Sequence, residues 1–167
     1  MQERNADRAK PLISLAWGFG AISVGIKNNL LGVWILFYYN QVLGLDAYWV
    51  SIALASALVI DAISDPVVGI WSDRVRTRWG RRHPFMYAAI VPFALSYFFI
   101  LQEPIGATDE EVFARLLVLM IVMRISMTFY EVPRNALGPE LSKDYDRRNM
   151  LAGLSSAFGW FGGAVPV

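Results

Sequence analysis

Residues 61–74 read Asp61-Ala-Ile-Ser-Asp65-Pro66-Val-Val-Gly69-Ile-Trp-Ser-Asp73-Arg74, and Arg76, Arg78, Gly80, Arg81 and Arg82 follow at once. Two carboxylates stand inside an apolar run, and a block of arginines closes it. A carboxylate at bilayer depth is costly, so its presence marks a functional site by default. An arginine block at the end of such a run marks the side on which the chain leaves the membrane. A nucleic-acid patch is the other use of clustered arginine, but here the flanking apolar runs hold the cluster at a membrane face.

Outward from this segment the whole chain is organised in the same way. It is 56% hydrophobic over 167 residues, and its apolar residues come in blocks too long for a soluble core. A spanning helix needs about 20 predominantly apolar residues. Four runs answer to that, at about 12–39, 48–72, 85–101 and 112–137, and a fifth begins at Leu151 and continues to Val167. The first run lacks the layout and cleavage site of a signal peptide and reads as a retained helix. The expected fold is all-α and polytopic, with antiparallel neighbours joined by short connections. Four complete spans and the start of a fifth would form an incomplete N-terminal bundle. Its expected partners are the lipid bilayer and the missing remainder of the chain.

Charge sets the expected orientation. Arg4, Arg8 and Lys10 precede the first run. The loop at 73–84 holds Arg74, Arg76, Arg78, Arg81 and Arg82, and the fourth and fifth runs are separated by Lys143, Arg147 and Arg148. The two opposite loops have no basic residue, and the second carries Glu103, Asp109, Glu110 and Glu111. This asymmetry puts the N-terminus and both basic loops in the cytoplasm. The absence of cysteine excludes disulfides, thiolate metal sites and cysteine nucleophiles. The single histidine, His83, cannot build a zinc site alone.

The intramembrane polar groups gather at one depth. At about 1.5 Å per residue, Asp61 lies roughly 18 Å and Asp65 about 12 Å from the Asp73 end, and Glu131 in the fourth run lies at about the depth of Asp65. Asp61 and Asp65 share a helix face, as do Thr128 and Glu131. Ser64 and Thr128 add hydroxyls. Lys27, Asn28 and Asn29 stand mid-way along the first run, and Arg124 and Arg134 stand on the fourth. Either the basic groups neutralise the acids as a structural network, or some acids are left for a cation or proton and others for a polar solute. Oxygen ligands suit hard cations. Gly18, Gly20, Gly25 and Gly32 permit close helix approach, and Pro66 and Pro133 are expected to kink their helices.

At these residues the chain resembles the glycoside–pentoside–hexuronide:cation symporters, the melibiose-permease-like branch of the major facilitator superfamily. The matching pieces are Gly18-Phe-Gly-Ala21, Phe37-Tyr-Tyr-Asn-Gln-Val-Leu-Gly44, Asp61-Ala-Ile-Ser-Asp65-Pro66 and Arg78-Trp-Gly-Arg-Arg-His-Pro-Phe85. Glu131-Val-Pro133 and Leu137-Gly-Pro-Glu-Leu-Ser-Lys-Asp-Tyr145 complete them. The resemblance implies symport of a sugar, glycoside or similar polar solute with Na⁺ or H⁺ by alternating access, in a bacterial inner membrane and without an organic cofactor. It implies a cation site at Asp61, Ser64, Asp65 and Thr128. It places Glu131 on solute hydroxyls; Asn135 and Lys27 are expected on the solute side as well. Gly69, Asp73, Arg74, Gly80, Arg81 and Arg82 would form a cytoplasmic gating loop.

Three positions depart from the family pattern. Gly25 stands where a sugar-binding acid is expected, Ser156 where an arginine is, and Asn135 where an aromatic is. Lys27 is additional, and is expected to pair with Asp61 or Asp65. The family also has a lysophospholipid-carrying branch, so a lipid-like solute is the alternative. A rival of another class, an intramembrane Mg²⁺-dependent transferase, needs acids near the aqueous interface and a second acidic helix; Asp61 and Asp65 are too deep and no second cluster is present.

Overall fold

The computed structural model describes residues 2–78, 80, 82–102, 106–138 and 144–164, with side chains from Ser14 onward. Helices dominate them: α1 (Gln2–Asn29), α2 (Ile35–Phe37), α3 (Ala47–Arg74), α4 (His83–Ile100), α5 (Asp109–Leu137) and α6 (Tyr145–Ala164). Two π-helical turns, Leu30–Trp34 and Tyr38–Val42, flank α2. The stretches Ser14–Val42, Ala47–Arg74, His83–Ile100 and Asp109–Leu137 are long and apolar enough to cross a membrane. This is the all-α polytopic architecture expected from the sequence. α6 opens at Tyr145, ahead of the apolar run at Leu151, because the Asp144 carboxylate accepts the Asp146 backbone N–H at 3.2 Å and caps the first turn.

The chain forms two compact units, one of Met1–Trp34 with Gly138–Val167 and one of Ile35–Leu137. In the first, α1 and α6 meet backbone to backbone. A Cβ at Gly25 would run into the Gly159 carbonyl, and one at Gly162 into the Ile22 carbonyl. The Asn29 amide donates to the Gly163 carbonyl. Lipid tails are as apolar as leucine, so close backbone approach and interhelical hydrogen bonds must hold such a pair together. Aromatic contact closes one end of the seam: Phe158 lies over Gly18, with its ring centroid 4.7 Å from that of Phe19.

In the second unit α5 is central and packs against both α3 and α4. Its buried stripe is Leu116, Met120, Met123 and Met127, which recurs at three- and four-residue steps as one helix face must. The two helices packed against it bury small residues, Ala53 and Ala57 on α3 and Ala89 and Ser96 on α4. The opposite faces carry apolar side chains outward. On α3 these are Val59, Ile63, Val67 and Ile70, all more than half exposed. An apolar stripe of that length suits hydrocarbon and would be an aggregation liability in water. Pro66, Pro92 and Pro133 all lie inside continuous helices, as spanning helices tolerate.

Helix ends in this unit are closed by side chains, which matters where water is scarce. The Asp46 carboxylate accepts the Tyr48 N–H at 2.8 Å. Thr108 and Glu111 form a reciprocal box at the start of α5: the Thr108 N–H donates to Glu111 Oε2 at 2.9 Å, and the Glu111 N–H donates to Thr108 Oγ1 at 3.4 Å. At the end of α4, Tyr39 donates to the Ile100 carbonyl at 2.9 Å, Tyr38 to that of Leu101 at 3.1 Å and Arg115 to that of Phe99 at 3.0 Å.

The glycine seam makes a contrast of sign. Gly162→Ala is expected to lower stability by about 1–3 kcal/mol, the usual cost of forcing atoms into a packed contact. Gly153→Ala, whose Cβ meets nothing within 4 Å, should raise it by up to about 1 kcal/mol through helix propensity. Thermal melts of the two detergent-solubilised variants should move in opposite directions. A Gly162→Ala protein as stable as its parent would show that α1 and α6 separate without cost.

Candidate functional site

α3 and α5 run in the same direction and stay in register along their length. The Arg124 guanidinium pairs with the Asp61 carboxylate through Nη1 and Oδ2. One turn on, Ser64 Oγ and Thr128 Oγ1 share a hydrogen bond of 3.1 Å. Further along, Gly69 faces Val132, whose Cγ1 would lie 3.6 Å from a Cβ placed there. The partners are 63 or 64 residues apart at each rung. Two helices with the same rise and a constant offset form a ladder of parallel rungs.

Of the four residues expected to form the cation site, the ladder joins Ser64 to Thr128 and sets Asp61 one turn before them. Thr128 is buried, Ser64 and Asp61 are half-buried, and Asp65 is exposed on this chain. Asp65 follows Asp61 by one turn on the same face of α3 and flanks the Ser64–Thr128 rung. The donors are therefore carboxylate and hydroxyl oxygens, which fit a hard cation and offer nothing to a soft one. Among the described residues, no group of three His, Cys, Asp or Glu comes together as a metal site.

Glu131, half-buried, lies three residues beyond Thr128 on α5, about one turn past the Asp65 level in this register. Arg134 follows, buried, and Asn135 is exposed. Lys27 is buried on α1 in the first unit, with 5% of its surface exposed. Of the departures from the family pattern, Gly25 has a structural reason, since the α6 backbone fills the space its side chain would need. Ser156 is exposed on α6.

The expected gating loop joins α3 to α4. Arg82, buried at the start of α4, donates from Nη2 to Asp73 Oδ1 at 3.0 Å, tying the last turn of α3 to the first of α4. Gly80 adopts a φ of 93°, a left-handed conformation that suits glycine. It closes the turn in which its N–H donates to the Thr77 carbonyl at 3.1 Å and Thr77 Oγ1 donates back at 2.7 Å. Arg74 is exposed in the last turn of α3, where a cation meets the negative end of the helix dipole. Gly69 accepts from Ser72 Oγ at 3.1 Å. Arg81 lies outside the described residues.

Sequence reasoning treated Arg124 as one of several neutralising cations and did not single it out. The signal was there to count: Asp61 precedes the end of α3 at Arg74 by thirteen residues, and Arg124 precedes the end of α5 at Leu137 by thirteen. Two spans that run the same way place such residues at one depth.

The MFS/sugar transport protein family model matches residues 16–166. An uncharacterised symporter of Synechocystis sp., sll1374, is 32% identical over 98% of this chain and 31% of its own length. The isoprimeverose transporter of Lactiplantibacillus pentosus is 25% identical over 90% of this chain and 31% of its own length. Sodium-dependent lysophosphatidylcholine symporter 1 of Gallus gallus is 27% identical over 89% and 28%. The chain spans about a third of the length of the curated relatives it matches. Four helices fit to cross a membrane, inside a match that runs from α1 past the end of α6, make this an integral membrane protein. By the same match the chain belongs to the MFS/sugar transport protein family, within the glycoside–pentoside–hexuronide:cation symporters of the major facilitator superfamily.

Proposed function

We propose that this chain forms the cation-handling part of a symporter that couples entry of Na⁺ or H⁺ to uptake of a sugar, glycoside or similar polar solute. The observation that carries the reading is the α3–α5 ladder, in which Ser64 and Thr128 touch at 3.1 Å one turn from Asp61, with Asp65 next to Ser64 in the chain. Those four residues would hold the coupling ion. Glu131 and Asn135 would meet the solute. Two relatives support the coupling and the solute class, since one is named a sodium-dependent symporter and another an isoprimeverose transporter.

Alternating access would move this site between the two faces of the membrane. The Asp73–Arg82 pair would hold the inner face shut in one state and part in the other, an exchange of charge pairs suited to a two-state rocking cycle. The N-terminus and the basic loops would be cytoplasmic, following the arginine asymmetry, in the inner membrane of a bacterial cell. The protein would need no organic cofactor and would not be an enzyme, in keeping with relatives named as transporters. A lysophospholipid-like solute is the second reading. It is favoured by the closed position at Gly25 and by Asn135, which together remove an acid and an aromatic from the sugar-binding side.

Uptake into vesicles carrying the full-length protein tests both readings, with labelled pentosides, hexosides and lysophosphatidylcholine offered under an imposed Na⁺ or proton gradient. Asp65→Asn is expected to abolish gradient-driven accumulation while leaving membrane insertion intact, because a neutral amide is easier to bury than a carboxylate. Undiminished cation stimulation would remove Asp65 from the site. Glu131→Gln should weaken solute affinity by about tenfold or more, the loss of a hydrogen bond to a charged acceptor, and leave Na⁺ binding unchanged. Equal loss of Na⁺ binding would place Glu131 among the cation ligands.

A further inference from the structure

The Arg124–Asp61 pair lies one turn from the Ser64–Thr128 rung, on the same two helices, and the guanidinium is almost fully enclosed. The Arg124 side chain is 11% exposed and that of Asp61 25%. Arg124 Nε is buried without a hydrogen-bond partner, so the charge is held in place by the carboxylate rather than by a full set of acceptors. Arginine keeps its proton under all physiological conditions. Asp61 is thereby supplied with a permanent cation, attached to the protein, at the position where the family pattern expects an exchangeable one.

Resting on the reading of this cluster as the coupling-cation site, we infer that Arg124 is a resident cation that occupies Asp61 and sets the charge left for the exchangeable ion. Within α3 and α5, Asp61, Asp65 and Arg124 sum to one negative charge at this level, and Glu131 and Arg134 cancel one turn further on. The exchangeable ion is then held by Asp65 with the Ser64 and Thr128 hydroxyls, and Asp61 serves through its partner. A free ion that sought Asp61 would have to displace a tethered group, whose effective concentration is millimolar or higher. It would also leave the guanidinium buried and uncompensated, the costly way to break an enclosed pair. Lys27, the other basic residue expected from the sequence near this depth, is the same in every variant compared below.

The charge count makes the inference testable by Na⁺ titration of the purified full-length protein, read by calorimetry at one fixed pH. Arg124→Gln adds one negative charge and should tighten Na⁺ binding by about tenfold or more, with Ca²⁺ now competing. Asp61→Asn removes one and should abolish Na⁺ binding. The double variant Asp61→Asn/Arg124→Gln returns the count to its starting value and should regain Na⁺ binding, while Arg124→Lys should match the parent.

A parent that binds Na⁺ and an Arg124→Gln protein that binds it no more tightly would overturn the inference and leave the cation site standing. A parent without measurable binding that gains it in Arg124→Gln would support the inference. Absence of Na⁺ binding in every variant would overturn the inference, and if a proton gradient also failed to drive uptake the site would fall with it. Should Arg124→Gln alone fail to fold, the double variant decides, since replacing both members of an enclosed pair by neutral groups of similar size is far better tolerated than removing one. Failure of the folded double variant to bind Na⁺ would sink the resident-cation role.

Discussion

A carboxylate in hydrocarbon keeps its charge only beside a cation that its own protein or its cargo supplies, and the α3–α5 register of this chain answers that requirement. Asp61 meets Arg124, and one turn later Ser64 meets Thr128. Each rung satisfies polar atoms that have no water to turn to. The register cannot slip by a residue without breaking both, because a slip would carry each polar side chain about 100° around its helix toward lipid. The polar rungs therefore fix how two otherwise featureless apolar helices sit against each other.

The rest of each unit follows from the same solvent. With apolar side chains favoured on the outside, burial of leucine supplies little reason for one helix to touch another. Association falls to close packing and to hydrogen bonds. The α1–α6 seam shows the first, with Gly25 and Gly162 set against opposing carbonyls, and Asn29 on Gly163 shows the second. Around α5 the same role passes to alanine and serine, which let the methionine-rich stripe approach. At the helix termini, Tyr38, Tyr39 and Arg115 take up the last carbonyls of α4.

The members of the cluster differ in how far they are enclosed. Asp65 stays exposed on this chain beside two hydroxyls already in contact, while Asp61 has its guanidinium. At the other end of α3 the Asp73–Arg82 pair is half open, with the arginine enclosed and the carboxylate 58% exposed. Such a pair is weak enough to exchange, as an exposed partner loses little on release. One enclosed pair and one half-exposed pair thus stand on the same helix, the first in its middle and the second at its end.

Much of this was legible in the residues alone. Apolar length gave the spans and their all-α class, because a chain in lipid has few ways to satisfy its backbone. The motif around Asp61 and Asp65 gave the family. Helix rise put Glu131 at about the depth of Asp65, about one turn short of where the α3–α5 register sets it. What counting could not supply was the azimuth of each helix about its own axis. Counting sets Arg124 level with Asp61, and the packing of α3 on α5 turns the two side chains toward each other. Nor could the sequence say why Gly25 lacks the expected acid: the reason is a backbone carbonyl of α6, more than a hundred residues away, occupying the space. One-dimensional periodicity determines what a helix can bury, and the neighbour across the seam decides what it does bury.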